Sequence, residues 1–184
     1  MNPMILYGSE KDNGVAYMLL TALHSLHTGV LHLTTQALTL LPPVAPDISY
    51  LLLDDGQVRS VQMDGCILIF KTDCGGLGDI VLPKAHAAVL DPENEHAAAL
   101  LQAHHIPVVT CGLSQKSTVT FSSRTPTTAV VSLQREIHTT SGALVDPREL
   151  PVTLSSPRED YPLLATVAAL WLAGTSFPKS GLVV

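Results

Sequence analysis

Charge is scarce in this chain: only 14% of its 184 residues are Asp, Glu, Lys or Arg, and aromatics make up 4%. The ten Lys and Arg are scattered without a basic run and face sixteen Asp and Glu, for a net charge of -6. Without a basic stripe there is no electrostatic footprint for phosphodiester backbones, so nucleic acid is not an expected partner. Long apolar runs are also missing. Stretches such as 163–173 fall short of the ~20 residues that span a bilayer, and the N-terminus lacks the basic-then-apolar layout of a signal peptide. No membrane association is expected, and the expected location is cytoplasmic. Cysteine is limited to Cys66, Cys74 and Cys111, an odd number without CxxC spacing. That pattern argues against a disulfide framework and a cysteine zinc site, and leaves three reduced thiols.

What the chain does have is apolar side chains, 46% of the total. At this length a domain buries roughly 70% of its unfolded surface, enough for one independent core, so residues 1–184 are read as a single domain. The opening reads as a strand over 4–7, a polar loop over 8–13, a helix over 15–27 and a strand over 30–34. A Pro-rich loop through Pro42, Pro43 and Pro46 follows. The helix rests on Val15, Met18, Leu19, Ala22, Leu23 and Leu26, whose three- and four-residue spacing makes one apolar stripe. Continuous apolar runs over 49–53 and 66–70 fit strands buried on both faces of a parallel sheet. A strand over 87–90 precedes Asp91, which can cap a helix that Pro92 starts and that runs to about His104. The next strand covers 107–110 and closes at Gly112.

Strands alternating with helices imply a mostly parallel, doubly wound, three-layer α/β sheet, because parallel strands need crossover connections. Residues 117–155 change character, with Thr-, Val- and Ser-rich stretches between turn residues, and read as a small antiparallel extension of that sheet. Ser156-Pro157-Arg158-Glu159 fits a capping box for a last buried helix over 163–173, which Gly174 stops.

The order of these pieces resembles the central, ATP-binding domain of the Mur ligases, over nearly the whole chain. The residues that carry the resemblance are Ala87-Ala88-Val89-Leu90-Asp91-Pro92-Glu93, the strand and glycine of 106–113, the Ala- and Leu-rich helix near the end, and Ile5-Leu6-Tyr7-Gly8 at the position of the family's P-loop. The resemblance implies a P-loop/Mur-ligase-like fold and places the vestige of a nucleotide site at Gly8, Ser9, Lys11, Asn13 and Gly14. It also aligns 49–55 with the strand ending in a magnesium-binding glutamate, and 66–73 with the strand ending near a catalytic Asp-His pair.

The chemistry at those positions departs from the family's. A P-loop needs a Gly-Lys pair followed by Ser or Thr, with backbone N–H groups cradling phosphates. Here Lys11 is followed by Asp12, and Glu10 and Asp12 put negative charge where a triphosphate would sit, an electrostatic objection. No histidine follows Asp73. No catalytic residue is therefore assigned, and Mur-type ligation by this chain alone is not expected. Asp54, Asp55, Asp73 and Asp79 would gather at the C-terminal ends of parallel strands, the usual ligand edge, as a residual metal or ligand site; the simpler reading makes Asp54-Asp55-Gly56 a turn.

Cys74 beside Gly75 and Gly76 would be reactive only if a cation or helix N-terminus lowered its pKa, and is otherwise a structural thiol. His24, His27 and His32 could form a metal triad, whereas the simpler reading puts the first two, like His104 and His105, at helix C-termini that favour His. The expected function is a non-catalytic Mur-ligase-like binding or assembly module. Its partner would be another protein or a small ligand, with homo-oligomerisation open. No cofactor is expected, and ATP/Mg²⁺ binding would be residual. The alternative is a divergent ATP/Mg²⁺-dependent ligase-like enzyme, alone or completed by partner chains.

Overall fold

The computed structural model describes residues 1–41, 47–74 and 80–184. Pro42, Pro43 and Pro46 of the Pro-rich loop, and Gly75, Gly76 and Asp79 of the glycine-rich segment, lie outside the described residues.

In chain order the elements are β1 (Asn2–Tyr7), α1 (Gly14–Ser25), β2 (Gly29–Thr34), β3 (Leu38–Leu41), β4 (Ile48–Asp54), β5 (Ile67–Phe70), β6 (Ala87–Leu90), α2 (Glu95–Ala103) and β7 (Val108–Thr110). Then come β8 (Val119–Arg124), β9 (Thr128–Leu133), β10 (Ile137–His138), β11 (Leu144–Val145), β12 (Arg148–Thr153), α3 (Asp160–Leu172) and β13 (Leu182–Val183).

The first seven strands form one sheet in the order β3-β2-β4-β1-β5-β6-β7. Every neighbouring pair is parallel except β2 with β3. Its central strands are apolar on consecutive residues because both faces are covered. Met4, Leu6, Ile67, Ile69, Ala87 and Val89 pack into the core that holds α1 and α3. The alternate residues Ile5, Tyr7, Leu68, Phe70, Ala88 and Leu90 pack with Ala97 and Leu101 of α2.

The expected antiparallel extension is corrected in its place. Strands β8, β9, β12 and β13 form a separate four-stranded sheet in the order β13-β12-β9-β8. The chain leaves the parallel sheet at a bridge between Cys111 and Val119. The reason lies in α3, whose residues from Tyr161 to Leu172 are all buried. A helix apolar all round must be covered all round. The parallel sheet and α1 cover part of it, and Val119, Val131, Leu133, Leu150 and Val152 of the second sheet share its core.

Other boundaries move for local reasons. Helix α3 starts at Asp160, with Glu159 as cap and no side-chain capping bond, so Ser156 is not its cap. Helix α2 starts at Glu95, where Asn94 accepts the Ala97 N–H at 3.0 Å. Asp91 instead closes a turn by accepting from Glu93 N–H at 2.9 Å. Strand β3 occupies residues for which no strand is expected from the sequence.

All three described helices end with the paired backbone bonds of a Schellman motif, which turns on one left-handed residue. In α3 that residue is Gly174, as expected, and Thr175 N–H reaches the Leu170 carbonyl. In α1 and α2 it is His27 and His105, with φ of 54° and 53°. Thr28 N–H bonds Leu23 O and Ile106 N–H bonds Leu101 O in the same pattern.

Candidate functional site

The C-terminal ends of β2, β4, β1 and β5 meet the start of α1, the edge at which open parallel sheets bind ligands. The loop after β1 crosses this edge, and much of its backbone and both of its carboxylates are bound to the protein itself. Ser9 N–H donates to the Asp73 carbonyl at 2.8 Å. Asp12 turns its carboxylate onto the helix start, where Oδ1 accepts Gly14 N–H at 3.2 Å and Oδ2 accepts Asp73 N–H at 3.1 Å. Lys11 N–H donates to Ser9 Oγ at 3.3 Å, and the Glu10 carboxylate accepts from Thr35 Oγ1 at 2.8 Å. A carboxylate at a helix N-terminus meets the same N–H groups and dipole that would attract a phosphate.

Beneath the loop lies a residue that the sequence reading did not single out. Lys71, one residue past β5, is 1% exposed, and its Nζ sits 2.6 Å from Asp54 Oδ1, with that side chain 9% exposed. Nζ also donates to the Ser9 carbonyl at 3.1 Å. Asp54 and Lys71 end strands on opposite sides of β1, so the lysine must cross over the chain at Gly8. Gly8 makes room: its φ is 145°, and a Cβ there would stand 2.7 Å from Lys71 Cβ and 2.8 Å from the Asp73 carbonyl. The sequence signal was available in the charged residue that follows the four-residue apolar run Ile67–Phe70. Its partner was not, because nothing local puts Asp54 two strands away.

His32 on β2 belongs to the same surroundings. Burial lowers its pKa below the ordinary 6.5, with the Asp54 charge opposing and the Lys71 charge reinforcing that shift. Its Nε2 is buried and makes no hydrogen bond. Asp55 folds back as a turn, its carboxylate accepting Gln57 N–H at 2.8 Å. Gly56 packs against the loop after β1, with Glu10 Cγ 3.0 Å from where its Cβ would be. Of the four acids considered as a ligand edge, Asp54 pairs with Lys71, Asp55 closes its turn, Asp73 binds the loop through its backbone, and Asp79 is not described. Among the described residues no group of three His, Cys, Asp or Glu side chains is gathered as for a metal.

Cys74 is buried, and its Sγ donates to the Lys71 carbonyl at 2.8 Å. Burial pushes its thiol up to about 11, a direction that disfavours the nucleophilic thiolate.

Beside this packed edge a cavity of about 910 Å³ opens between the start of α1 and the segment before α3. Lys11, Asn13, Gly14, Tyr17, Asp73 and Arg158 are among its lining residues. The Arg158 guanidinium lies 4.4 Å from the Tyr17 ring centroid and donates to the Tyr17 hydroxyl at 3.0 Å. Thus Lys11, Asn13 and Gly14 face a cavity, whereas Gly8 and Ser9, earlier in the same loop, pack against Lys71 and Asp73.

The fold is similar to that of a Mur ligase. A solved structure of UDP-N-acetylmuramoyl-L-alanyl-D-glutamate--2,6-diaminopimelate ligase matches 96% of this chain with a TM-score of 0.58 and 12% sequence identity. The match covers 44% of the ligase chain, so this chain spans less than half of that enzyme's length. The sequence matches no protein-family model and no curated protein. At such identity the likeness concerns the fold, and activity has to be argued from the residues. Among the described residues, no helix is long and apolar enough to cross a membrane.

Proposed function

We propose that this chain is a Mur-ligase-like domain with a degenerate P-loop that has given up ligation and serves as a binding or assembly module. The observation that carries this reading is the self-satisfied edge. Asp12 takes the first N–H of α1, at Gly14, and the loop N–H of Asp73, and Asp54 neutralises the one buried lysine among the described residues. A triphosphate seated on the helix start would have to displace a tethered carboxylate, and to reach Lys71 it would have to break a buried ion pair. Calorimetric titration with ATP, with and without Mg²⁺, tests the reading. No heat of binding up to millimolar ATP is expected, and tight Mg²⁺-dependent binding would sink it.

A second reading, divergent ATP and Mg²⁺ binding, is favoured by the cavity beside the loop. Its volume is in the range of small-molecule sites, and Lys11, Arg158 and Tyr17 offer two cations and an aromatic face. Under that reading ATP binds and Lys11→Ala abolishes the binding.

A further inference from the structure

Strand register lines up two rows of apolar side chains across the sheet face opposite α1. One row is Pro3, Leu51, Leu31 and Leu40, and the other is Ile5, Leu53, Leu33 and Leu38. Exposure rises along each row toward the edge strand. Ile5 is buried, Leu53 and Leu33 are half-buried, Leu38 is 67% exposed, and Leu40 at the end of the other row is 57% exposed.

The cause is topological. The crossover from β2 to its parallel neighbour β4 returns through β3, which lies in the sheet itself, so that connection supplies no described helix to cover the leucines. Helix α2 and the packed residues Val61, Met63, Ile80 and Leu82 cover the same face only farther along, over the core of Tyr7, Phe70 and Leu90. The bare part is therefore a shelf, recessed by about one structural layer of ~10 Å and open at the sheet edge.

Among the described residues no charged side chain lies on the edge strand. Residues 13–46 contain no Asp, Glu, Lys or Arg, although the chain carries sixteen acids and ten bases. Edge strands of soluble proteins usually carry charge to prevent pairing, and β3 reads Leu-Thr-Leu-Leu. A flat leucine face next to an uncharged edge is an association surface.

We infer that a second copy of this chain covers the shelf, the two copies stacking their leucine rows about a two-fold axis. This rests on the assembly-module reading. Two features select a second copy. A shelf open on one side is its own complement under a two-fold rotation: each leucine face lies over the other, and the raised layer of each copy falls beyond the other's β3 edge. The net charge of -6 disfavours most self-contacts, and the uncharged shelf lets two copies meet without facing acids.

Sedimentation equilibrium of the full chain over a wide concentration range tests this. The expected mass is twice the 19.5 kDa of one chain. The Leu38→Lys/Leu40→Lys double variant should weaken the dimer by roughly 100-fold or more. Leu113→Lys, at an exposed position beyond β7, should leave it intact. Both leucines are largely exposed in one chain, so the folded monomer should survive, as an unchanged far-ultraviolet spectrum would verify. A wild-type monomer at every concentration overturns the inference and leaves the shelf to a helix of a different protein. A dimer that survives the double variant overturns it as well. ATP titration of the same samples separates the two claims: a monomer that ignores ATP removes only the dimer, whereas tight ATP binding removes the non-catalytic reading.

Discussion

Replacing Lys71 with Met is the sharpest probe of the packed edge. The methionine keeps most of the lysine's apolar stem over Gly8 but deletes the charge 2.6 Å from Asp54 and the bond to the Ser9 carbonyl. With the two side chains 1% and 9% exposed, solvent can do little to replace the lost partner. Breaking a buried pair from one side costs about 3–5 kcal/mol, because the remaining charge is stranded. For a chain of this size each kcal/mol moves Tm by about 2–4 °C, so Lys71→Met should melt roughly 6–20 °C below wild type. Asp54→Leu should fall similarly, leaving the ammonium unpaired. The Lys71→Met/Asp54→Leu double variant removes both charges and should recover most of the loss, or exceed wild type, since apolar replacements of buried pairs are often neutral or stabilising by 1–4 kcal/mol. Urea unfolding followed through the single, buried Trp171 yields the complete cycle. Single variants that each cost less than about 1 kcal/mol would instead place the pair in water-like surroundings and rule out a stranded buried charge.

Three further outcomes follow from other residues. Because burial lowers the folded pKa of His32 below 6.5, the unfolded chain binds more protons just below that pH; the residue's contribution is fully present above 6.5 and is lost as pH falls toward the depressed folded value. His32→Gln should therefore flatten the loss of Tm between pH 6.5 and 5, and an unchanged slope would count against the shift. His105→Gly, at an exposed position with φ of 53°, should stabilise by about 0.5–1 kcal/mol by relieving left-handed strain, visible as a raised urea midpoint; a lowered midpoint would show that the strain is negligible. Cys66 and Cys74 are buried with thiols pushed up to about 11, and Cys111 is buried and raised further, so none should react with Ellman's reagent at neutral pH until the chain unfolds. One fast thiol in the native protein would overturn that assignment.

The parts of the fold that were legible in the sequence are those whose pattern is local and unambiguous. The run over 87–90 is flanked by polar residues and contains only small or branched apolar side chains, and it forms β6 with the expected ends. Helix α1 follows from a stripe at helical spacing, and Gly174 marks the end of α3 by backbone freedom alone. What was not legible depends on contacts far apart in the chain. Strand β3 is four residues without a buried face, held by pairing with β2, and no periodicity in 38–41 distinguishes it from a loop. The separate second sheet follows from the need to cover α3, a requirement visible only once that helix is known to be apolar on every side. At the site, the acids of the loop after β1 were readable as hostile to phosphate. That Asp12 would bind the helix start, and that Lys71 would reach across Gly8 to Asp54, depended on strand order.

A site built for a phosphate leaves N–H groups and a lysine unsatisfied when empty, and an empty anion site costs stability because those donors lie partly shielded from water. A chain that keeps such a site needs a ligand that returns the cost. Here Ser9 and Asp73 donate their N–H groups to neighbouring loops, Gly14 donates to Asp12, and Lys71 is shared between Asp54 and a carbonyl. Under the proposed reading this edge needs no ligand, and the bonded amides of Ser9, Gly14 and Asp73 should exchange with solvent more slowly than amides of an open loop. The leucine shelf is the converse case, a surface that remains unsatisfied in the single chain. Marginal stability makes that asymmetry informative, because surface left unpaired marks where a partner contributes. Under the proposed reading, the free energy to be gained by association lies on the flank of the sheet at β3, where the leucines are exposed, and not at the edge where the strand ends meet the start of α1.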